Sequence, residues 1–223
     1  MNAIFTSTVD QDFFNLVSPS FVEYSKKCKC DLIIRQSQHL KNYTINVKAS
    51  FERYDMYNLL KIYDRVLWLD SDIYISKQSE NIFDIVPEDE LGVFYEVDSI
   101  KKTNDCINRM VETFQMKTKL SKYFNSGVLV TSKCHSEMFN MSKVEEFFNN
   151  PNIKGCQNSD QDYLNLYTHR ENVKVYSLPR QYNYMINDRG FVKSDNPKFV
   201  HFAGTLDMKK MYIQQFIKGN PNF

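Results

Sequence analysis

Short runs of β-branched and aromatic residues alternate along the chain with longer stretches in which apolar residues recur every three or four positions. That alternation marks an α/β fold with a mostly parallel sheet. The runs predict strands over residues 3–7, 31–35, 65–70, 91–96, 125–131, 173–177 and 198–202. Helical spacing predicts helices over 12–27, with Pro19 as a kink or restart, and over 54–63, 101–120, 136–149, 160–168 and 207–218. No repeat, no Ser/Gly/Pro linker and no long charge block interrupts the pattern, so residues 1–223 read as a single domain.

Composition narrows the class of protein. Lys and Arg number 28 against 27 Asp and Glu, a net charge of +1, which gives no field to hold a polyanion and argues against a nucleic-acid partner. No stretch approaches the ~18 consecutive apolar residues of a membrane span, and the first residues lack a basic segment followed by an apolar one. The expectation is a soluble, cytoplasmic chain. Its five cysteines are irregularly spaced and read as reduced thiols rather than a disulfide framework.

The stretch Arg65-Val-Leu-Trp-Leu-Asp-Ser-Asp carries the most chemistry. An apolar strand runs into Asp70-Ser71-Asp72, placing two carboxylates at the strand's C-terminal end, where open α/β sheets bind ligands. Two anions so close raise one another's pKa unless they share a cation. Oxygen ligands point to Mg²⁺ or Mn²⁺, and an added imidazole favours Mn²⁺. A capping turn without metal is the alternative reading of Asp-Ser-Asp alone. Three further segments add to it: Phe124-Asn-Ser-Gly-Val opens a strand with a glycine suited to close approach of a ligand. Asp160-Gln-Asp sets acids and a carboxamide at a helix start, and His201-Phe-Ala-Gly204 sets an imidazole and a glycine loop before a last helix.

Taken in order, Arg53 seventeen residues before Asp70, then LWLDSD, FNSGV, DQDYLN, LPxxYN and HFAG, the chain resembles the glycosyltransferase family 8 type of GT-A nucleotide-sugar transferases from about residue 3 to 204. The resemblance implies a GT-A fold, with a Rossmann-like, mostly parallel central sheet and flanking helices. It also implies a metal-dependent, retaining transfer of a hexose from a nucleotide sugar, UDP-glucose or UDP-galactose, to a glycan or protein-linked acceptor. Carried onto these residues, it implies that Asp70, Asp72 and His201 hold Mn²⁺ (or Mg²⁺) and that Asp160 and Gln161 face the anomeric carbon. Thr6, Ser7 and Asp10 would line the uridine site, and Arg53 would hold Asp70 and reach the sugar. Asp98, Asn125 and Ser126 would bind sugar hydroxyls, while Ser71, Gly204 and Lys209 complete the donor site.

One position departs from the family, which carries a Lys-Pro-Trp after the histidine and glycine, the lysine contacting the diphosphate. Asp207 stands there in this chain. The expectation is that Asp207 caps the last helix while Lys209 or Lys210 takes the missing lysine's place. Two rivals remain: a GT-A protein that binds nucleotide or glycan without turnover, and a haloacid-dehalogenase-type phosphatase with Asp70 as nucleophile.

Overall fold

A computed structural model describes residues 1–8, 10–36, 49–96, 104–116, 122–153, 160–186 and 196–219. The first strand, β1 (Asn2–Thr8), is buried from Ala3 onward, as a strand covered on both faces must be. It pairs in parallel with β2 (Asp31–Gln36) on one side and β3 (Arg65–Leu69) on the other. Strand alternation sends Phe5 and Trp68 to one face of the sheet, where their rings meet edge-on at 5.0 Å, and sends Ile4, Leu67 and Leu69 to the other.

Helix α1 (Gln11–Cys28) follows β1. Asp10 caps it by accepting the Phe13 N–H at 2.8 Å, and Lys29 closes it in a left-handed conformation at φ 53°. Pro19 lies within this continuous helix rather than breaking it. A 3₁₀ segment, Ala49–Asp55, leads into α2 (Met56–Ile62), so the helix predicted over 54–63 is shorter and begins as a tighter coil.

After β3 the chain turns at Asp70–Asp72 into β4 (Ile73–Ile75) and then α3 (Ile82–Ile85), two short elements that the hydrophobic pattern does not reveal. Strand β5 (Leu91–Tyr95), helix α4 (Asn104–Thr113) and strand β6 (Phe124–Ser132) come next. The helix predicted over 101–120 therefore ends early, and its two predicted ends lie outside the described residues. The helix predicted over 136–149 is divided into a 3₁₀ segment, Lys133–Phe139, and α5 (Met141–Phe148). Asn140 starts α5 by accepting the Ser142 N–H through its side chain at 3.1 Å. The chain closes with α6 (Asp160–Arg170), β7 (Val175–Ser177), β8 (Tyr184–Met185), β9 (Phe199–His201) and α7 (Leu206–Gly219).

The six-stranded central sheet has the order β2-β1-β3-β6-β5-β7 and is mostly parallel, with β6 antiparallel to both neighbours. A second sheet of three strands, β4-β9-β8, stands beside it. The cores fill the two faces of the large sheet. Tyr54, Phe139 and Tyr163 pack with Trp68 on one, and Phe14, Phe21 and Phe199 pack with Leu69 on the other. No described helix is long and apolar enough to cross a membrane.

Candidate functional site

The Asp-Ser-Asp turn is the hinge between the two sheets. Asp70 N–H donates to Gly127 O at 2.9 Å, adding a rung to the β3–β6 ladder, and Ile73 N–H closes the turn onto Asp70 O at 3.2 Å. On the far side, Ile73 stands opposite His201 in the antiparallel β4–β9 pair, and Phe202 N–H donates to Asp72 O at 2.9 Å. Backbone pairing alone thus brings an imidazole from the end of β9 to two carboxylates from the end of β3. One donor atom from each of Asp70, Asp72 and His201 lies within 4.8 Å of the others.

The donor set fits a divalent cation. His201 Nε2 faces Asp72 Oδ1 at 3.2 Å and Asp70 Oδ2 at 4.0 Å, and among the described residues the buried Asp72 Oδ1 accepts no well-formed hydrogen bond. Two oxygens and one imidazole suit a hard or borderline ion such as Mg²⁺ or Mn²⁺. Burial disfavours charge on His201, but the carboxylates of Asp72 and Asp70 outweigh it and raise its pKa above the ordinary value. Burial likewise opposes charge on Asp72, and His201 with Lys209 outweighs that, holding the carboxyl well below the usual range. Lys209, on α7, pairs directly with Asp72, and Lys210 beside it pairs with Asp10 at 3.4 Å.

Arg53 is the second organising residue. Fully enclosed, its guanidinium donates to Asp70 Oδ1 at 3.1 Å and to Ser126 O at 2.7 Å, and meets Asp160 Oδ2 at 2.8 Å. Burial acts against its charge; Asp160 and then Asp70 overcome that and raise its pKa. Trp68 contributes from below, its indole N–H donating to Asp70 Oδ1 at 2.9 Å and its ring lying 5.1 Å from the guanidinium. Gln161 Oε1 accepts both the N–H and the hydroxyl of Ser126, at 2.9 and 3.3 Å, which pins the start of α6 to the start of β6. Beside it the buried Asp162 accepts from the Tyr123 hydroxyl at 2.5 Å.

Most of the residues singled out in the sequence therefore converge: Arg53, Asp70, Asp72, Asn125, Ser126, Asp160, Gln161, His201 and Lys209 form one connected group. Thr6 and Ser7 lie near the C-terminal end of β1, on the same side of the sheet, and both hydroxyls are buried without a hydrogen-bond partner among the described residues. Ser71 is half-buried in the turn, and Gly204 adopts φ 141°, a conformation open to glycine, just before α7. Asp98 lies outside the described residues.

One expectation changes, and two positions gain detail. Asp207 does not cap α7, which begins at Leu206; its side chain is exposed in the first turn. Gly127 makes room for a neighbouring side chain, because a Cβ there would stand 2.5 Å from His201 Cε1 and 2.9 Å from Asn125 Oδ1. Asn125 spends its carboxamide on protein groups: Oδ1 accepts from Gly127 N–H and Asn183 Nδ2, and Nδ2 donates to Glu96 Oε1. Asn183 and Glu96 were given no role from the sequence. The only signal for Asn183 was its place at the end of the LPxxYN motif.

A mostly parallel sheet ending in Asp-Ser-Asp, flanked by helices and joined to a small second sheet that supplies a histidine, is the arrangement that the GT-A resemblance implied. The chain belongs to glycosyl transferase family 8, whose profile matches residues 1–209. No curated protein sequence matches it. Among solved structures it is similar to the galactosyltransferase LgtC in complex with donor and acceptor sugar analogues, with a TM-score of 0.67 at 15% identity over 98% of this chain and 94% of that one. It is also similar to a glycosyltransferase involved in glycosylation of the major capsid of PBCV-1, with a TM-score of 0.62 at 15% identity over 96% and 98%. A third likeness is to the bifunctional WbbM, with a TM-score of 0.61 at 14% identity over 95% of this chain and 49% of that one. At these identities the likenesses speak for the fold. Membership of this family disposes of the phosphatase alternative.

Proposed function

We propose that this glycosyltransferase moves a hexose from a UDP-sugar to a glycan or protein-linked acceptor, and that it depends on a divalent cation held by Asp70, Asp72 and His201. The observation that carries the reading is the convergence of those three donors, from two sheets, beside the Arg53–Asp160 pair. A bound cation there would neutralise the charge that develops on the departing nucleoside diphosphate.

The chain's own groups supply the rest. Arg53 holds both Asp70 and Asp160, so the acid at the start of α6 is oriented before substrate arrives. Asp160 and Gln161 would present oxygen atoms to an oxocarbenium-like sugar that needs negative charge or dipoles on its face, and the family resemblance favours a retaining transfer. Thr6 and Ser7 offer buried hydroxyls to the nucleoside. Lys209 exchanges Asp72 for a phosphate oxygen as the donor enters, taking the part of the family lysine. Ser126, Ser71 and Gly204 complete the donor site, to which the family resemblance adds Asp98.

The test is thermal stability with UDP-, GDP- and dTDP-sugars in Mn²⁺. A donor present at 100 times its Kd adds ~2.7 kcal/mol of stability. UDP-hexoses should stabilise the chain with Mn²⁺ and not with EDTA. Equal stabilisation in EDTA would contradict the proposed cation site.

A further inference from the structure

Behind the cation site runs a chain of hydrogen bonds whose direction is fixed by one backbone amide. Gly127 N–H can only donate, and it donates to Asn125 Oδ1 at 2.8 Å. That identifies the oxygen end of the Asn125 carboxamide. Its Nδ2 then points to Glu96 Oε1 at 2.8 Å, with Met185 Sδ as a weaker acceptor at 3.8 Å. Since Asn125 Oδ1 is an acceptor, Asn183 must present its Nδ2 to it, at 2.9 Å. Asn183 Oδ1 is left facing His201 Nδ1 at 2.9 Å, and an oxygen acceptor there calls for the proton on that nitrogen.

We propose that Asn183 is a positioning residue that sets the tautomer of His201, with the proton on Nδ1 and the lone pair on Nε2, aimed between Asp70 and Asp72. The role rests on the cation reading above. Outer groups of this kind orient a ligating histidine and raise its affinity for metal. Here the nearest carboxylate along the chain, Glu96, stands two carboxamides away from the ring, so at Nδ1 His201 meets a neutral acceptor rather than a full charge. Asn183 is fully enclosed at the entry to β8, which pairs with β9, so its oxygen has little freedom to leave the ring. The missing side chain at Gly127 leaves the imidazole the space to sit in that plane.

The tautomer can be read directly from the His201 ring in a ¹⁵N-labelled chain loaded with Mg²⁺. A protonated Nδ1 and an unprotonated Nε2 are expected; a proton on Nε2 would overturn the role. Mn²⁺ affinity, followed by the resonance of the free aquo ion, separates positioning from packing. Asn183→Leu should weaken Mn²⁺ binding by about 10- to 100-fold. Asn183→Asp, which still accepts from Nδ1–H, should bind more tightly than Asn183→Leu. A mere packing role gives the opposite order, because a buried space tolerates leucine better than a carboxylate. Equal affinity in wild type and Asn183→Leu would overturn the role while leaving the cation site standing. If Asn183→Leu does not fold, the wild-type ring spectrum decides. A wild-type chain that binds no Mn²⁺ at millimolar concentration would overturn the cation reading itself, and this role with it.

Discussion

Lys209 on α7 pairs with Asp72, the carboxylate that also faces His201, although 137 residues of chain separate the lysine from the aspartate. The ammonium therefore supplies positive charge at the same carboxylate proposed to bind the cation. Removing it should act in opposite directions on two ligands. In Lys209→Met, Mn²⁺ alone should bind more tightly, since it no longer displaces a charge-assisted bond worth on the order of 1 to 2 kcal/mol. UDP in the presence of Mn²⁺ should bind more weakly, because the phosphate loses its lysine. Calorimetric titration of both ligands checks this, and unchanged affinities for both would contradict the exchange.

Arg53 should be the most costly single residue to remove at the site. Arg53→Ala leaves the carboxylate of Asp160 buried without its guanidinium, a loss of about 3 to 5 kcal/mol. Arg53→Lys keeps the charge but cannot span Asp70, Ser126 O and Asp160 together, so it should recover only part of that stability. Urea unfolding measures both; a loss under about 1 kcal/mol in Arg53→Ala would contradict the assigned pairing.

Gly127→Ala should disable cation binding while the fold persists. Its new methyl group would collide with His201 Cε1 and the Asn125 carboxamide, both held by several bonds. Overpacking of this kind costs about 1 to 3 kcal/mol. The Mn²⁺ affinity should fall much further than the melting temperature, and an unaltered affinity would show that the ring does not need that space.

Acid should weaken the fold through His135, away from the site. Burial first, and the Arg65 guanidinium second, push its pKa down to about 4, and its Nδ1 accepts the Ser132 N–H at 3.0 Å. In the unfolded chain it titrates near ~6.5. Between those values the unfolded state holds a proton that the folded state does not, so stability falls as pH falls through this window, by up to about 3 kcal/mol. Asp72 acts lower, because its stabilising charge is lost only below its ordinary value of 3.8. His135→Asn should flatten the decline between pH 6.5 and 4.5 in urea unfolding; an identical slope would remove His135 as its source.

What the sequence reveals of this site is what ends a strand. Asp70 follows the apolar run Val66–Leu69, with Asp72 two residues on, and His201 follows Phe199-Val200, and such runs announce both the strand and the edge where it stops. The strands β4 and β8 escape notice because β4 follows β3 after a three-residue turn and reads as its continuation, while β8 is only two residues long. The antiparallel direction of β6 escapes too, since an apolar run looks alike in either direction. Asn183 stands 18 residues before its partner His201, and Lys209 stands 137 after Asp72. No spacing rule links such pairs, and only the folded register of β9 against β4 and β8 brings them together. Gly127 was visible as a close-approach position, but what approaches it is a side chain delivered by the second sheet.

The most direct measurement is release of UDP from UDP-glucose and UDP-galactose by the wild-type chain and by Asp72→Asn, with Mn²⁺ and with EDTA. Release by the wild-type chain in Mn²⁺, its loss in EDTA, and its loss in a folded Asp72→Asn are expected together. Undiminished release by Asp72→Asn would contradict the assigned site, and binding of the UDP-sugars without any release of UDP would mark a nucleotide-binding protein rather than a transferase.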